Sequence, residues 1–209
     1  MDGQSKSKPV IGLVGGIGAG KSTAAGEFVR LGCALVDGDA IGHALLAEPD
    51  VRRQVRAEWG EEVFAPDGSV DRRALGRRVF QDAAALAALN RILHPRIRAG
   101  MAEEIRRAQA DPAVPAVVVD AAVLFEAGWE DLCTHVVFVA ASPEDRSRRA
   151  CAARGWDSGT WRGRENSQIS LDNKARNCDH TIDNSSCISC LRERVRQLFH
   201  KMVRVADRP

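Results

Sequence analysis

Gly15-Gly16-Ile17-Gly18-Ala19-Gly20-Lys21-Ser22 is the stretch that decides the fold. It satisfies G-x-x-x-x-G-K-[ST], in which glycines free the backbone to wrap until successive N–H groups point inward at phosphate oxygens. The apolar run Val10 to Val14, bounded by Pro9 and Gly15, reads as a buried strand ahead of the loop. From Lys21 the periodicity turns helical, with Phe28 and Leu31 as apolar positions before Gly32 closes the segment. That context is the one phosphate binding needs, because the helix start adds the positive end of its dipole. Lys21 sets a compact charge where the β- and γ-phosphates meet, Thr23 follows in the first turn, and the Ser22 hydroxyl is a candidate Mg²⁺ ligand.

Outward from the loop, further strands read at Cys33 to Val36, Ala116 to Val119, Val136 to Ala140 and His180 to Ile182. Ser142-Pro143-Glu144 opens a helix running to about Arg154, and a last helix spans about Ile188 to Val205. Strands alternating with helices predict an α/β fold, a P-loop NTPase with a mainly parallel sheet flanked by helices. Between Ile41 and Asp111 no strand reads. Leu75/Val79, Leu86/Leu89/Leu93 and Ile97/Met101/Ile105 instead form three helical groups, with Asp71 and Asp82 placed to cap the first two. Arg72, Arg73, Arg77 and Arg78 are expected to gather guanidinium groups along one side of the first. The expected division is a flexible tail at 1–8 and one P-loop domain at 9–209. Its core is 9–40 and 112–209, its helical insertion about 41–111 and its lid about 150–170.

The 209 residues are 44% hydrophobic and 28% charged, which fits a soluble globular chain of one domain with an insertion. A net charge of +2 excludes the dense positive field of a protein that coats nucleic acid. The 30 basic residues are 25 Arg and 5 Lys, and Arg forks onto phosphate oxygens. No run of 18 apolar residues is long enough for a membrane span, and the polar start at Met1 to Lys8 has no signal-peptide core. Six scattered cysteines then read as reduced thiols of a cytoplasmic protein. Cys178, His180, Cys187 and Cys190 are an alternative zinc set, with Cys187 and Cys190 at C-x-x-C spacing.

Switches, motors and kinases share the phosphate loop, so other residues must discriminate. Asn173-Lys174 lacks the Asp of N-K-x-D, since Arg176 stands there, which argues against a guanine-reading switch. Val36-Asp37-Gly38-Asp39 ends the second strand, where ligands lie in open α/β sheets. Asp39 is either a base for an attacking hydroxyl or the cap of a helix starting at Ala40. Asp120, after Val117-Val118-Val119, is either a strand-end cap or a residue holding Mg²⁺ through water. Arg146, Arg148, Arg149, Arg154, Arg162 and Arg164 are either a solvated basic face or an arginine-carrying flap that would neutralise transition-state charge and exclude water.

Together the motifs resemble those of the dephospho-CoA kinase family. They are Gly12-Leu13-Val14-Gly15-Gly16-Ile17-Gly18-Ala19-Gly20-Lys21-Ser22-Thr23, Val36-Asp37-Gly38-Asp39, Asp67-Gly68-Ser69-Val70-Asp71-Arg72 and Leu93-His94-Pro95-Arg96-Ile97. Leu124-Phe125-Glu126, Arg154-Gly155, Gln168 and Asp179-His180-Thr181-Ile182-Asp183-Asn184 complete the set in family order. The resemblance implies ATP-dependent phosphorylation of the ribose 3′-hydroxyl of dephospho-CoA, with Mg²⁺ and with ATP and dephospho-CoA as small-molecule partners. No obligate protein partner, nucleic acid or membrane is implied. It makes Asp39 the base, places Lys21, Arg149, Asn184 and residues 16–23 on ATP, and sets Arg72, His94 and Glu126 on the acceptor. Arg146 stands where the family often has Gln, and Gly159 to Asn166 with Trp161 departs from its lid. With fourteen residues before Gly15, no fused adenylyltransferase domain is expected. The rival readings are another small-molecule P-loop kinase and a non-enzymatic ATP switch.

Overall fold

A computed structural model of the protein describes residues 7–166 and 168–206. Strands β1 (Val10–Val14), β2 (Ala34–Asp37), β3 (Val117–Asp120), β4 (His135–Ala140) and β5 (His180–Asp183) pair in parallel, in the order β2-β3-β1-β4-β5. Every residue of β1 is buried. Its unbroken apolar run suits a strand covered on both faces, where alternation has no advantage. Because all strands point one way, β1, β2 and β3 end at one edge of the sheet. In that register Asp37 of β2 stands opposite Asp120 of β3.

Helices α1 (Lys21–Arg30) and α9 (Ile188–Ala206) cover the sheet. Ala24 and Phe28 of α1 join Leu191, Val195, Phe199 and Met202 of α9 in one core with Ile11, Leu13, Val118 and Val137. Glu27 is buried between the helices, and its Oε1 accepts from Arg192 Nε at 3.1 Å and Arg30 Nη1 at 3.0 Å. The phosphate loop thus enters a helix that is fixed along its length.

Residues up to Asp37 and from Glu104 form one compact unit, and Gly38–Glu103 form a second. The second holds α2 (Gly38–Leu45), α3 (Pro49–Trp59) and α4 (Arg72–Val79). It also holds most of α5 (Ala83–Ala110). Asp71 Oδ1 accepts from the backbone N–H of Arg73 and Ala74, and Asp82 Oδ1 from those of Ala84 and Ala85. The core of this unit includes Val51, Val55 and Trp59 of α3. Those residues repeat at i+4 behind Pro49, a helix signal the sequence reading passed over.

Two expectations for this unit are corrected. The second and third helical groups belong to the single helix α5, with Pro95 inside it. Proline takes away the donor for the carbonyl four residues earlier; at the next carbonyl, Ile92 O, the Arg96 guanidinium donates at 2.7 Å, and its other arm reaches Asp50 on α3 at 2.6 Å. That bond is the main reason the Asp50 carboxyl is held below its ordinary range. The arginines of α4 are all exposed, but at 3.6 residues per turn they fan around the arc left by Leu75 and Val79 and do not line one side.

Of the expected tail, residues 1–6 lie outside the described residues. Lys8 exchanges two hydrogen bonds with the Gln109 side chain, at 2.9 and 2.8 Å. Phe28 is fully buried at the centre of the first unit's core. Phe28→Ala is expected to cost roughly 3–5 kcal/mol, read as a lowered urea midpoint.

Candidate active site

The phosphate loop runs from the end of β1 to the start of α1. Gly18 and Gly20 adopt φ of 84° and 94°, a region that side chains avoid. A methyl group at Gly20 would run into Asn184 Nδ2, and one at Gly18 into the backbone oxygen of Arg146. The loop carbonyls are held in turn. Lys21 Nζ donates to Gly15 O at 3.0 Å, and the backbone N–H groups of Ala19 and Ala24 donate to Gly16 O and Gly20 O. From outside the loop, Trp161 Nε1 donates to Ile17 O at 3.2 Å and Asn184 Nδ2 to Ala19 O at 2.8 Å. A peptide unit directs its N–H opposite its C=O, so fixing these carbonyls orients the loop N–H groups toward a phosphate.

Beside the loop, Ser22 Oγ donates to Asp120 Oδ2 at 2.8 Å, joining the first turn of α1 to the end of β3. Asp37 occupies the register position across from Asp120. A hydroxyl and carboxylates at one sheet edge form a hard oxygen set. Mg²⁺ is held this way, through one or two carboxylates with phosphate oxygens and waters completing the octahedron. The donor set therefore fits Mg²⁺. Among the described residues no group of three or more His, Cys, Asp and Glu side chains is placed to hold a metal, including Cys178, His180, Cys187 and Cys190.

The arginine-carrying segment expected as a flap folds into α6 (Pro143–Arg154), α7 (Ser158–Asn166) and α8 (Leu171–Arg176). Its arginines divide by role. Arg149 Nη2 donates to Asn184 O at 2.9 Å, while its Nη1 is buried without a hydrogen-bond partner. Arg149 is thus bonded through one nitrogen to the residue that ties down Ala19 and keeps the other unsatisfied. Arg146 is buried, pairs with Glu165, and lies 5.4 Å from the Trp161 ring that is itself bonded to Ile17. The departures at Arg146 and Trp161 thus form one cluster that fastens α7 to the loop. Arg154 and Arg164 flank Trp156, at 4.7 and 4.6 Å, and Arg148 is exposed beside Asp145.

Glu126 follows β3 in a run of turns, and its Oε1 meets Lys174 Nζ at 2.8 Å. Lys174, 2% exposed, also donates to Gln168 Oε1 at 3.3 Å, and Glu126 Oε1 accepts from Ile169 N at 3.2 Å. Glu126 Oε2 is buried with no hydrogen-bond partner. Lys174, read from sequence only as part of a failed guanine motif, therefore fixes Glu126. A lone lysine in a polar stretch gave no signal of its burial.

Asp39, Arg72 and His94 belong to the 38–103 unit. Helix α2 starts at Gly38, so Asp39 lies within its first turn and does not cap a helix starting at Ala40. Arg72 is exposed on the first turn of α4, and His94 is partly buried on α5, with burial holding its imidazole below the ordinary value.

The dephospho-CoA kinase family model matches residues 9–189. A dephospho-CoA kinase of Symbiobacterium thermophilum is 38% identical over 89% of this chain and 78% of its own length. One of Streptomyces avermitilis is 37% identical over 95% of this chain and 96% of its own. A crystal structure of a Thermus thermophilus protein superposes with a TM-score of 0.80 at 31% identity, covering 94% of this chain and 99% of that one. Because Lys174 balances a mostly buried carboxylate, Lys174→Met is expected to cost about 3 kcal/mol, measured by chemical denaturation. Adding Glu126→Gln should restore part of that loss; equal stability of the single and double variants would contradict the pairing.

Proposed function

The chain belongs to the dephospho-CoA kinase family, and on that premise we propose how its residues divide the work. It transfers the γ-phosphoryl group of ATP to the ribose 3′-hydroxyl of dephospho-CoA, giving coenzyme A and ADP, the last step of coenzyme A synthesis. The observation that carries the reading is the pinned loop. Its carbonyls at Gly15, Ile17 and Ala19 are bonded to Lys21, Trp161 and Asn184, while Ser22 meets Asp120 beside it.

In this reading residues 16–23 bind the β- and γ-phosphates through backbone N–H groups, and Lys21 adds charge where the transferring group leaves. Bound Mg²⁺ supplies neutralisation across the same phosphates; the Ser22 hydroxyl and, through water, Asp120 would hold it. Arg149 offers its unsatisfied Nη1 to charge that grows in the transition state. Asn184 spends its side chain on Ala19, so its part toward ATP is to hold the loop, with the following backbone flanking the adenine.

Asp39 takes the proton from the attacking hydroxyl. Its place two residues after Asp37, where the second strand ends, supports that role. Arg72 serves the acceptor's phosphates, Glu126 orients the acceptor, and His94, kept neutral by burial at neutral pH, offers hydrogen bonds without charge. The 38–103 unit is thereby the acceptor side, and α7 with its neighbours the lid. Six free cysteines among the described residues support a reducing compartment, the cytoplasm, and no helix among them is long and apolar enough to cross a membrane.

The role of Asp39 has a direct check. In a coupled assay, ADP release stimulated by dephospho-CoA should fall roughly 10²–10⁴-fold in Asp39→Asn, the usual worth of a general base, while ATP affinity stays at the parental value. A rate near that of the parent protein would remove Asp39 from the chemistry.

A further inference from the structure

Three of the six thiols sit in surroundings that suppress reactivity. Burial pushes Cys33, Cys133 and Cys178 up to about 12. Cys187 and Cys190 differ in both placement and chemistry, and the phosphoryl transfer proposed above uses neither. They flank the start of α9, where Cys187 O accepts from Cys190 N at 3.1 Å and Leu191 N at 3.2 Å. That turn brings the two Sγ atoms to 2.9 Å of each other, with Cys187 exposed and Ser189 Oγ 3.0 Å from its sulfur. The sulfurs are close enough to bond with little backbone movement, and an oxidant reaches Cys187 without unfolding the chain.

We propose that Cys187 and Cys190 form a thiol–disulfide exchange site, at which a low-molecular-weight disulfide converts the pair into an intramolecular disulfide. The Cys187 thiolate attacks one sulfur of the reagent RSSR, forming a Cys187–S–S–R bond and releasing one thiolate. The Cys190 thiol loses its proton and attacks Cys187 Sγ, closing the Cys187–Cys190 bond and expelling the second thiolate. The two protons lost by the protein thiols are taken up by the two released thiolates, so two protein thiols and RSSR give one protein disulfide and two RSH. Exposure selects Cys187 as the attacking sulfur. Hydrogen bonds from Cys190 and Ser189, which lower its pKa to about 7, act in the same direction. Two sulfurs alone do not make a zinc site, and no third ligand joins them among the described residues. The site lies three residues past Asn184, in the connection that follows β5. It rests on the dithiol geometry and holds whatever the chain phosphorylates.

The test uses the full, reduced chain incubated at pH 7 with graded ratios of oxidised to reduced glutathione, acid-quenched and read by intact mass and peptide mapping. The expected product has lost two hydrogens, mapped to a Cys187–Cys190 bond. Cys190→Ser should stop at a glutathione adduct on Cys187, and Cys187→Ser should form no adduct at Cys190 under the same conditions. A persistent adduct with no Cys187–Cys190 bond, or oxidation that begins at the buried cysteines, would overturn the assignment.

Discussion

A peptide group cannot point its N–H and its C=O the same way, and the phosphate loop is organised around that constraint. To present N–H groups to an anion, the loop must find other partners for its carbonyls. It draws them from three parts of the chain: Lys21 within the motif, Asn184 at the end of β5, and Trp161 of α7. The glycines follow from the same demand, since the φ values of Gly18 and Gly20 and the pressure of Arg146 and Asn184 leave no room for a side chain. The end of the sheet and helix α7 are thereby coupled to one turn of backbone.

Charge is distributed on the same local principle. A net +2 gives no global field, yet Lys21 and Arg149 stand around the loop while Asp37 and Asp120 hold the strand ends beside it. A kinase that handles two phosphate-bearing substrates needs both signs at short range. Much of the arginine excess serves structure instead. Arg192 clamps Glu27, Arg96 ties α5 to α3, and Arg146 is spent on Glu165.

The inner strands of the parallel sheet were legible because each is an apolar run ending in a polar or glycine-rich turn, as at Val10–Val14 and Val117–Asp120. The phosphate loop was legible because every residue in it answers a local requirement. The continuity of α5 through Pro95 was not legible, since the spacing of Leu86/Leu89/Leu93 and Ile97/Met101/Ile105 does not say whether two helical groups are one helix. What spacing could not reveal were partners distant in the chain. Trp161 reaches Ile17 across 144 positions, Glu27 meets Arg192 across 165, and Lys174 is buried against Glu126. Sequence could name Arg146 and Trp161 as unusual for the family; only the fold shows that they form one fastening.

Transfer of labelled phosphate tests the central claim most directly. With Mg²⁺, ATP labelled at the γ-phosphate and saturating dephospho-CoA, the account predicts label in coenzyme A as a 3′-phosphomonoester, released again by a 3′-specific phosphatase. Label appearing only as inorganic phosphate, at a rate that dephospho-CoA does not change, would contradict it.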